Sequence, residues 1–491
     1  MSALFGLAGR TGRLAGVLLV CVTLAPVLDS ADRRPADGAV VELVPSAAPS
    51  AARAEGSALV VSAPDEVSGA VVISGELGVG ESVGVALAHN PQLQSVRRER
   101  QRARGAVVEA RSGFLPDLSL SGQYYRRVEV PSVSFGGATT LGSPNNWAFG
   151  AVLTQPLYLG GAVINAYRAA RVGQQLAEEQ IRQVTQEVIF QVRKSYYDIR
   201  LAQEFVAADR EQLERAQAFL DDVEKRFAQG VASNFDVLRA RVELANVQAS
   251  LIQSGNALHL AETSFLRVLG VSQDSQVTLV DGLVYEPLEP EAREAMRQAL
   301  LSRPEVLASK LSVKAQEHRV EGTKAGLLPR VFLSGNYELG KPAVGGFGAG
   351  WDDEFRAVLS IEFPLFEGGQ TAGKLAQERA VLEQFRSTVR DAEEQVLLEV
   401  TQAFLSLEDA DEFVRSQLVN LERAQEQLRL AEAGYREGVR KQVEVLDART
   451  ALTEARKNFS QAVYNHMLAS LSLQRATGAL AGAGEDRRVS P

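Results

Sequence analysis

A glycine-centred turn between residues 434 and 447 carries the densest group of side chains that could act on a charged species. The stretch reads Gly-Tyr-Arg-Glu-Gly-Val-Arg-Lys-Gln-Val-Glu-Val-Leu-Asp. Glu444 and Asp447 are three residues apart, so a helix that begins after the turn places both carboxylates near one face. Grouped carboxylates favour cations. The chemistry that this stretch indicates is therefore electrostatic.

No other group of residues predicts catalysis or a cofactor. The four histidines have no metal-ligand spacing, and Ser, His and Asp residues are too scattered to suggest a catalytic triad. No glycine loop followed by Lys-Ser or Lys-Thr is present to cradle a phosphate. A net charge of −9 without a basic block argues against nucleic-acid binding. We therefore predict no enzyme, no metal and no cofactor, and we interpret all four histidines as structural or surface residues: His89, His259, His318 and His466.

The N-terminus predicts export. Two arginines precede an apolar run over residues 14–28, and small residues follow at 30–31. The run is shorter than the roughly 20 residues of a membrane span, so it predicts a signal peptide over residues 1–31. A lipid anchor on Cys21 is the alternative, but Val20 stands where that modification needs a small residue. Cleavage would remove the only cysteine.

The chain is internally duplicated. Gly230 and Gly438 lie in similar turns 208 residues apart, and the helix-starting Pro91 and Pro304 lie 213 residues apart. Self-similarity at a fixed distance indicates two copies of one structural unit. The predicted organisation after the signal peptide is a flexible low-complexity leader (32–75), a first repeat (76–290), a second repeat (291–478) and a disordered tail (479–491).

Each repeat contains two segments in which apolar and polar residues alternate. Leu118, Leu120 and Tyr124 share one parity, while Ser119 and Ser121 take the other. This period of two predicts strands with one apolar and one polar face. Two interpretations remain open on the residues alone, a soluble amphipathic hairpin and a membrane hairpin with its apolar side towards lipid. The predicted strands are 114–130 and 145–157 in the first repeat, and 327–339 and 354–365 in the second.

Long helices follow the strands. Paired glycines (Gly160 and Gly161, Gly368 and Gly369) are expected to turn each strand pair into a helix, because glycine allows a sharp change of direction. The next 65 residues or so contain no proline in either repeat, which predicts helices of about 100 Å. Apolar stripes on such helices pack as antiparallel coiled pairs. The predicted helices are 163–228 and 234–270 in the first repeat, and 371–437 and 442–478 in the second, with a short helix before each strand pair and a connector between the copies.

These features together resemble the TolC-type outer-membrane efflux family, the outer membrane factors. The resemblance covers residues 77 to 478 and depends on the Asn90-Pro91 and Arg303-Pro304 pairs, both Pro-Leu-aromatic-X-Gly-Gly turns and the segment 445–449. It implies an α+β membrane protein whose long antiparallel coiled-coil helices form an α-barrel in the periplasm. It also implies four strands per protomer in a twelve-stranded β-barrel of a homotrimer in the bacterial outer membrane. Four strands cannot close a barrel alone, so an oligomer is also expected physically.

The resemblance implies a passive exit duct for small molecules. Its partners would be outer-membrane lipid, a periplasmic adaptor and an inner-membrane pump of the resistance-nodulation-division or ABC type, with no nucleic acid. Type I protein secretion and metal-ion export are alternatives, because the pump sets the substrate. A hypothesis from a different class is a periplasmic coiled-coil scaffold without a pore, which explains the helices but not the two-faced strands.

Site residues follow from the resemblance by position. Asp236, Tyr435 and Arg440 match a gate that closes the periplasmic end, and Glu444 and Asp447 match an acidic ring at the aperture. Two departures are visible: Glu444 stands where the family pattern has aspartate, and Phe235 replaces a small polar residue. The competing interpretation of these charges is a solvated helix end, and that of the glycines is turn geometry alone. The expected adaptor-contact tips are Gly230, Val231, Gly438 and Val439.

Overall fold

The structure is a computed structural model that describes residues 60–64, 71–129, 132–134, 138–140, 144–288, 290–341 and 350–480. The predicted signal peptide lies outside these ranges, together with Cys21, much of the predicted leader and residues 481–491. The helices are α1 (Val79–His89), α2 (Pro91–Ser112), α3 (Ala162–Ala228), α4 (Asn234–Leu269), α5 (Ala292–Ser302), α6 (Pro304–Lys324), α7 (Gln370–Arg436) and α8 (Gln442–Ala476). The strands are β1 (Val60–Pro64), β2 (Val71–Leu77), β3 (Asp117–Arg126), β4 (Ser132–Ser134), β5 (Ala138–Thr140), β6 (Asn145–Leu159), β7 (Gln276–Leu279), β8 (Arg330–Lys341) and β9 (Asp352–Glu362).

A small three-stranded sheet corrects the prediction for the leader. Strand β2 lies between β1 and β7, antiparallel to the first and parallel to the second. The leader predicted over residues 32–75 therefore includes β1 and most of β2. Strand β2 is short and has no clear alternation of apolar and polar residues. It was not recognised because its partner β7 comes much later in the chain. The tail prediction is also wrong at its start, because Leu480 is buried in the same core as β2.

Two helical hairpins form most of the described chain. Helices α3 and α7 have 67 residues each, which corresponds to about 100 Å. Each packs along the shorter helix that follows it, α4 or α8, because apolar residues recur on one face at three- and four-residue steps. Val188, Val192 and Tyr196 are examples from α3, and all three are almost completely buried.

A second sheet has the strand order β3-β6-β8-β9 and is antiparallel throughout. Its register aligns apolar residues across all four strands, as in the row of Leu120, Ala151, Tyr337 and Phe355. Residues that pair directly share a face, so the apolar positions form one continuous surface and the polar positions form the other. The sheet is a single layer: Leu120 remains 80% exposed. Strands β3 and β9 each have a free edge within the described residues.

Among the described residues, no helix combines the length and the apolar character needed to cross a lipid bilayer.

The duplication is also visible where the short helices α2 and α6 begin. The Asn90 side chain donates to the carbonyl of Val268 at 2.8 Å, and Arg303 donates to the carbonyl of Ala476 at 3.4 Å. Val268 and Ala476 are 208 residues apart, the offset of the helical tips. The same junction is therefore built twice, with an amide in the first repeat and a guanidinium in the second.

The four glycines between the strands and the long helices all have positive φ. The values are 63° and 91° for Gly160 and Gly161, and 61° and 86° for Gly368 and Gly369. Gly160 is also tightly enclosed, since a Cβ atom there would lie 2.6 Å from the carbonyl oxygen of Ala325. A Cβ at Gly368 would have no neighbour within 4 Å. Gly160 and Gly368 therefore share a backbone conformation, but only Gly368 has room for a side chain.

This difference predicts unequal costs for the same substitution. Gly368→Ala should lower the free energy of unfolding by about 1–2 kcal/mol, the cost of a left-handed backbone for an L-residue. Gly160→Ala should cost roughly 1–3 kcal/mol more, because the methyl group also overlaps the backbone of Ala325. Thermal unfolding of the two purified variants checks this, and equal losses would contradict it.

Candidate functional site

The tip of the first hairpin is closed by a capping box. The carbonyl of Arg226 accepts hydrogen bonds from the N–H groups of Val231 and Ala232. Helix α4 begins directly after this turn. The Asp236 carboxylate accepts from the Ser233 hydroxyl at 2.6 Å and from its backbone N–H at 2.9 Å. These two bonds lower the pKa of Asp236. Asp236 therefore stabilises the start of α4 within one protomer.

The second tip repeats this backbone path with different side chains. The carbonyl of Gly434 accepts from the N–H groups of Val439 and Arg440. Glu444 accepts from the backbone N–H of Lys441 at 3.1 Å and from Arg440 Nη1 at 2.6 Å. Both bonds lower the pKa of Glu444, the backbone bond more strongly. Asp447 is exposed one turn further along and has no ion pair among the described residues.

Tyr435 is half-buried and packs against the first hairpin. Its ring lies 5.9 Å from the ring of Phe219, and the guanidinium of Arg226 lies 4.8 Å from its centroid. Burial raises the pKa of the Tyr435 hydroxyl. The contact joins the two hairpins, because Phe219 and Arg226 belong to α3 and Tyr435 belongs to α7.

The two tips are held together by an apolar cluster and two polar links. Gln442 Nε2 donates to the carbonyl of Asp236 at 3.1 Å. Arg449 donates to the carbonyl of Arg215 at 2.9 Å and pairs with Glu432 at 2.8 Å. The apolar cluster draws residues from α3, α4, α7 and α8, and its buried members include Phe219, Val223, Val237, Leu428, Val445 and Leu446. The tips therefore form one packed unit within the protomer.

The structure brings the predicted gate residues into one region without joining them directly. Within one protomer, Asp236 bonds to Ser233, and neither Tyr435 nor Arg440 bonds to it. Arg440 pairs instead with Glu444, the residue assigned to the aperture. The predicted roles of these residues in closing the pore remain predictions, and any bond between them would have to form between protomers or in another state.

Sequence reasoning missed the residues that link the tips. Gln442, Arg449 and Phe219 were given no role because their partners lie in the other repeat. One signal was present: Arg449 lies seventeen residues after Glu432 across the turn, the same separation as that of Arg241 and Glu224 in the first repeat. These two ion pairs bridge equivalent hairpins at 2.8 Å and 2.7 Å.

The predicted adaptor-contact residues project from the tips. Val231 is 74% exposed and Val439 is 82% exposed, next to Gly230 and Gly438, which both have a φ of 75°. Exposed valines on a turn present apolar surface without any partner in the described chain. This geometry is compatible with the prediction and does not test it.

No group of three or more His, Cys, Asp or Glu side chains in the described ranges is arranged to hold a metal ion. His466 is instead buried on α8 beside Tyr285, with ring centroids 4.9 Å apart, and burial lowers its pKa.

Comparison with known proteins gives a consistent result. Residues 83–271 and 295–479 match the family model described as "Outer membrane efflux protein". The outer membrane protein TolC of Vibrio cholerae is 26% identical over 412 residues, which cover 82% of this chain and 91% of the relative. The alkaline protease secretion protein AprF of Pseudomonas aeruginosa is 24% identical over 416 residues, or 82% of this chain and 85% of that protein.

The fold is similar to solved outer-membrane channels. The CmeC channel of Campylobacter jejuni superimposes with a TM-score of 0.71 at 16% identity, covering 83% of this chain and 87% of that one. The predicted α+β channel fold is therefore confirmed. The family model matches two segments that together exceed half of the sequence, one in each repeat. This chain belongs to the outer membrane efflux protein family, and it is an outer-membrane channel protein and not an enzyme.

Proposed function

We propose that three copies of this chain form the exit duct of a tripartite export system. In this arrangement each protomer contributes the four strands β3, β6, β8 and β9 to a twelve-stranded barrel in the outer membrane. Helices α3 and α7, with their partners, form a helical tube that reaches into the periplasm. The duct is passive, and an inner-membrane pump supplies the energy.

The observation that carries this proposal is the single-layer sheet with one apolar and one polar face. An apolar surface that contains Leu120 and Phe355, 80% and 56% exposed, needs cover from lipid or from protein. The free edges of β3 and β9 leave backbone groups unpaired, which costs several kcal/mol per group in hydrocarbon. Pairing β3 of one copy with β9 of the next satisfies both edges and places the polar face around a lumen.

The tip residues would act at the other end of the duct. A threefold axis beside the tips would arrange Glu444 and Asp447 as rings of three carboxylates, which favour cations. Tyr435, Arg440 and Asp236 would hold the periplasmic end closed. The exposed pairs Gly230-Val231 and Gly438-Val439 would contact a periplasmic adaptor.

The substrate class that we propose is small molecules, exported through a pump of the resistance-nodulation-division or ABC type. Protein secretion is a second candidate, because AprF is named for the secretion of alkaline protease. Expression in a Gram-negative strain that lacks its own exit duct separates the two. Restored tolerance to toxic dyes supports small-molecule export, and restored release of a type I secretion substrate supports the second candidate.

The purified protein should conduct ions in a planar bilayer of neutral lipid. A lumen lined by the polar face would give discrete steps from single trimers, with cations preferred because of the acidic tips. Cross-linking should give a trimer in the same preparation. A folded trimer without conductance, with or without substitutions at the tip, would instead favour a periplasmic scaffold that has no pore.

A further inference from the structure

The helix turns next to β3 and β6 are basic, although the whole chain carries a charge of −9. From residue 100 to residue 112, at the end of α2, there are four arginines and one glutamate. From residue 162 to residue 177, at the start of α3, there are two arginines and no acidic residue. These segments adjoin strands β3 and β6. A local excess of cations in an acidic chain points to an anionic partner.

Three of these arginines, together with Arg379 on α7, form a surface that we call the cationic collar; the three are Arg104 and Arg111 on α2 and Arg171 on α3. All four are exposed, and none pairs with a carboxylate in the part of the chain that the structure describes. The opposite end of α3 is different, because Lys225 pairs with Asp221 at 2.5 Å and Arg226 pairs with Asp222 at 2.9 Å. The collar charges are therefore left for something outside the chain.

The collar arginines share one side of the helices. On α3, Arg171, Glu178 and Tyr196 follow one another at seven- and eighteen-residue steps, which keeps them near one face of a helix. The Tyr196 hydroxyl on this face donates to the carbonyl of Leu77 in the small sheet at 3.2 Å. Arg100 on α2 pairs with Glu178 at 2.5 Å and so joins the same side.

The neighbouring positions extend this side towards the strands. On α2, Arg104 lies four residues after Arg100, and Arg111 lies seven residues after Arg104. These steps keep the three arginines near one face of the helix. Arg379 is the repeat equivalent of Arg171, 208 residues later. Since the small sheet would block the lumen if it lay inside a tube, the face that it covers is the outer one. The collar therefore faces outwards.

The exposed apolar residues beside the collar indicate its depth relative to the membrane. Leu118 in β3 is 65% exposed, and Leu365 and Phe366 before α7 are 86% and 90% exposed. These residues mark the edge of the apolar layer in the proposed orientation. Arg111 lies at the end of α2, and Arg171 and Arg379 lie about 14 Å into their helices. Long arginine side chains reach towards an interface, so the collar lies at or just below the headgroups.

We propose that the cationic collar binds the phosphates of anionic phospholipids in the periplasmic leaflet of the outer membrane. Arginine suits this task, because its guanidinium forms paired hydrogen bonds with phosphate and stays charged. Each arginine near an anionic surface adds to the attraction. The collar would fix the depth of the duct in the membrane. This inference depends on the membrane placement in the proposed function.

The test uses the purified full-length protein in neutral detergent. Short-chain phosphatidylglycerol should raise the thermal unfolding temperature of the trimer more than phosphatidylcholine of equal chain length. The difference should shrink as salt is added, because screening weakens attraction to the headgroups. Replacing all four collar arginines by glutamine should remove more than roughly half of the difference.

Two matched variants complete the design. The first replaces four exposed arginines away from the sheet by glutamine, which gives the same change in net charge: Arg210, Arg293, Arg423 and Arg436. This variant should keep the full difference in unfolding temperature between the two lipids. Lysine at the four collar positions should also keep most of it, since a positive charge remains. These variants separate an effect of the collar from a loss of folding.

Three results would overturn the proposal. The first is an equal response to both lipids, and the second is an unchanged response of the glutamine collar variant. The third is an equal shift with free glycerol phosphate, which would indicate a soluble anion instead of lipid. If the glutamine collar variant changes the ion selectivity of the pore and not the lipid response, the collar lies in the lumen. Conductance in neutral lipid tests the duct independently, so failure of one idea is distinguishable from failure of the other.

Discussion

Replacing Arg303 by alanine should lower the free energy of unfolding by about 3 kcal/mol. The Arg303 side chain is 6% exposed and pairs with Glu305 at 3.0 Å and with Glu399 at 2.8 Å. Removal of one member of a buried ion pair is costly, because the remaining charges keep their desolvation without their partner. Both glutamates are about one-third exposed, so water offsets part of the loss. Chemical unfolding followed by circular dichroism measures the effect.

The first repeat supplies the control for this prediction. Asn90 occupies the position equivalent to Arg303, and its side chain accepts from the N–H groups of Gln92 and Leu93. Arg303→Asn should therefore recover about 1 kcal/mol by capping α6, while Glu399 stays unpaired. Arg293→Ala, at an exposed arginine on α5, should be nearly neutral. Equal losses for the alanine and asparagine variants would show that the two junctions are not equivalent.

The combined substitution Tyr435→Phe with Arg440→Ser should raise single-channel conductance several-fold, if the tips close the duct. Arg440 pairs with Glu444 at 2.6 Å, so its removal frees a carboxylate where the proposed aperture lies. Cation preference should rise together with conductance, because each protomer then presents one more unpaired negative charge. Planar bilayer recordings measure both quantities on the same channels.

The single substitutions show which side chain matters. Tyr435→Phe keeps the ring between Phe219 and Arg226 and should change conductance little by itself. Arg429→Ser breaks a similar exposed ion pair with Glu426, two turns before the tip, and serves as the matched control. An unchanged conductance in the double variant, or an equal rise in the control, would remove Tyr435 and Arg440 from the gate.

The repeated architecture could be predicted from the sequence because its signals are local. Proline-free stretches with apolar stripes predicted the long helices, and alternating residues predicted the strands of the four-stranded sheet. The offsets of 208 and 213 residues related the two copies before any contact was known. The structure adds the register, which joins Leu120 and Phe355 into one apolar surface across four strands.

The contacts between distant segments could not be predicted in this way. Strand β2 pairs with β7 about 200 residues later. The short strand shows no clear alternation of apolar and polar residues, and nothing near it in the sequence indicates its partner. Gln442 links the tips through the backbone carbonyl of Asp236, and a backbone acceptor leaves no trace in the sequence. The pairing of Arg440 with Glu444 was missed for another reason, since each had been assigned a different role by resemblance.

The single-layer sheet also determines when the chain can complete its fold. The helical hairpins are held by contacts within one chain, whereas the sheet is a single layer and both of its edge strands lack a partner among the described residues. In the proposed trimer its edge strands gain partners when copies meet, so folding and assembly of this part would be one equilibrium that depends on protomer concentration. Before that encounter, the apolar face and the open edges are an aggregation hazard. If the chain assembles as proposed, a cell would therefore have to keep newly exported copies soluble while they are still too dilute to close a ring.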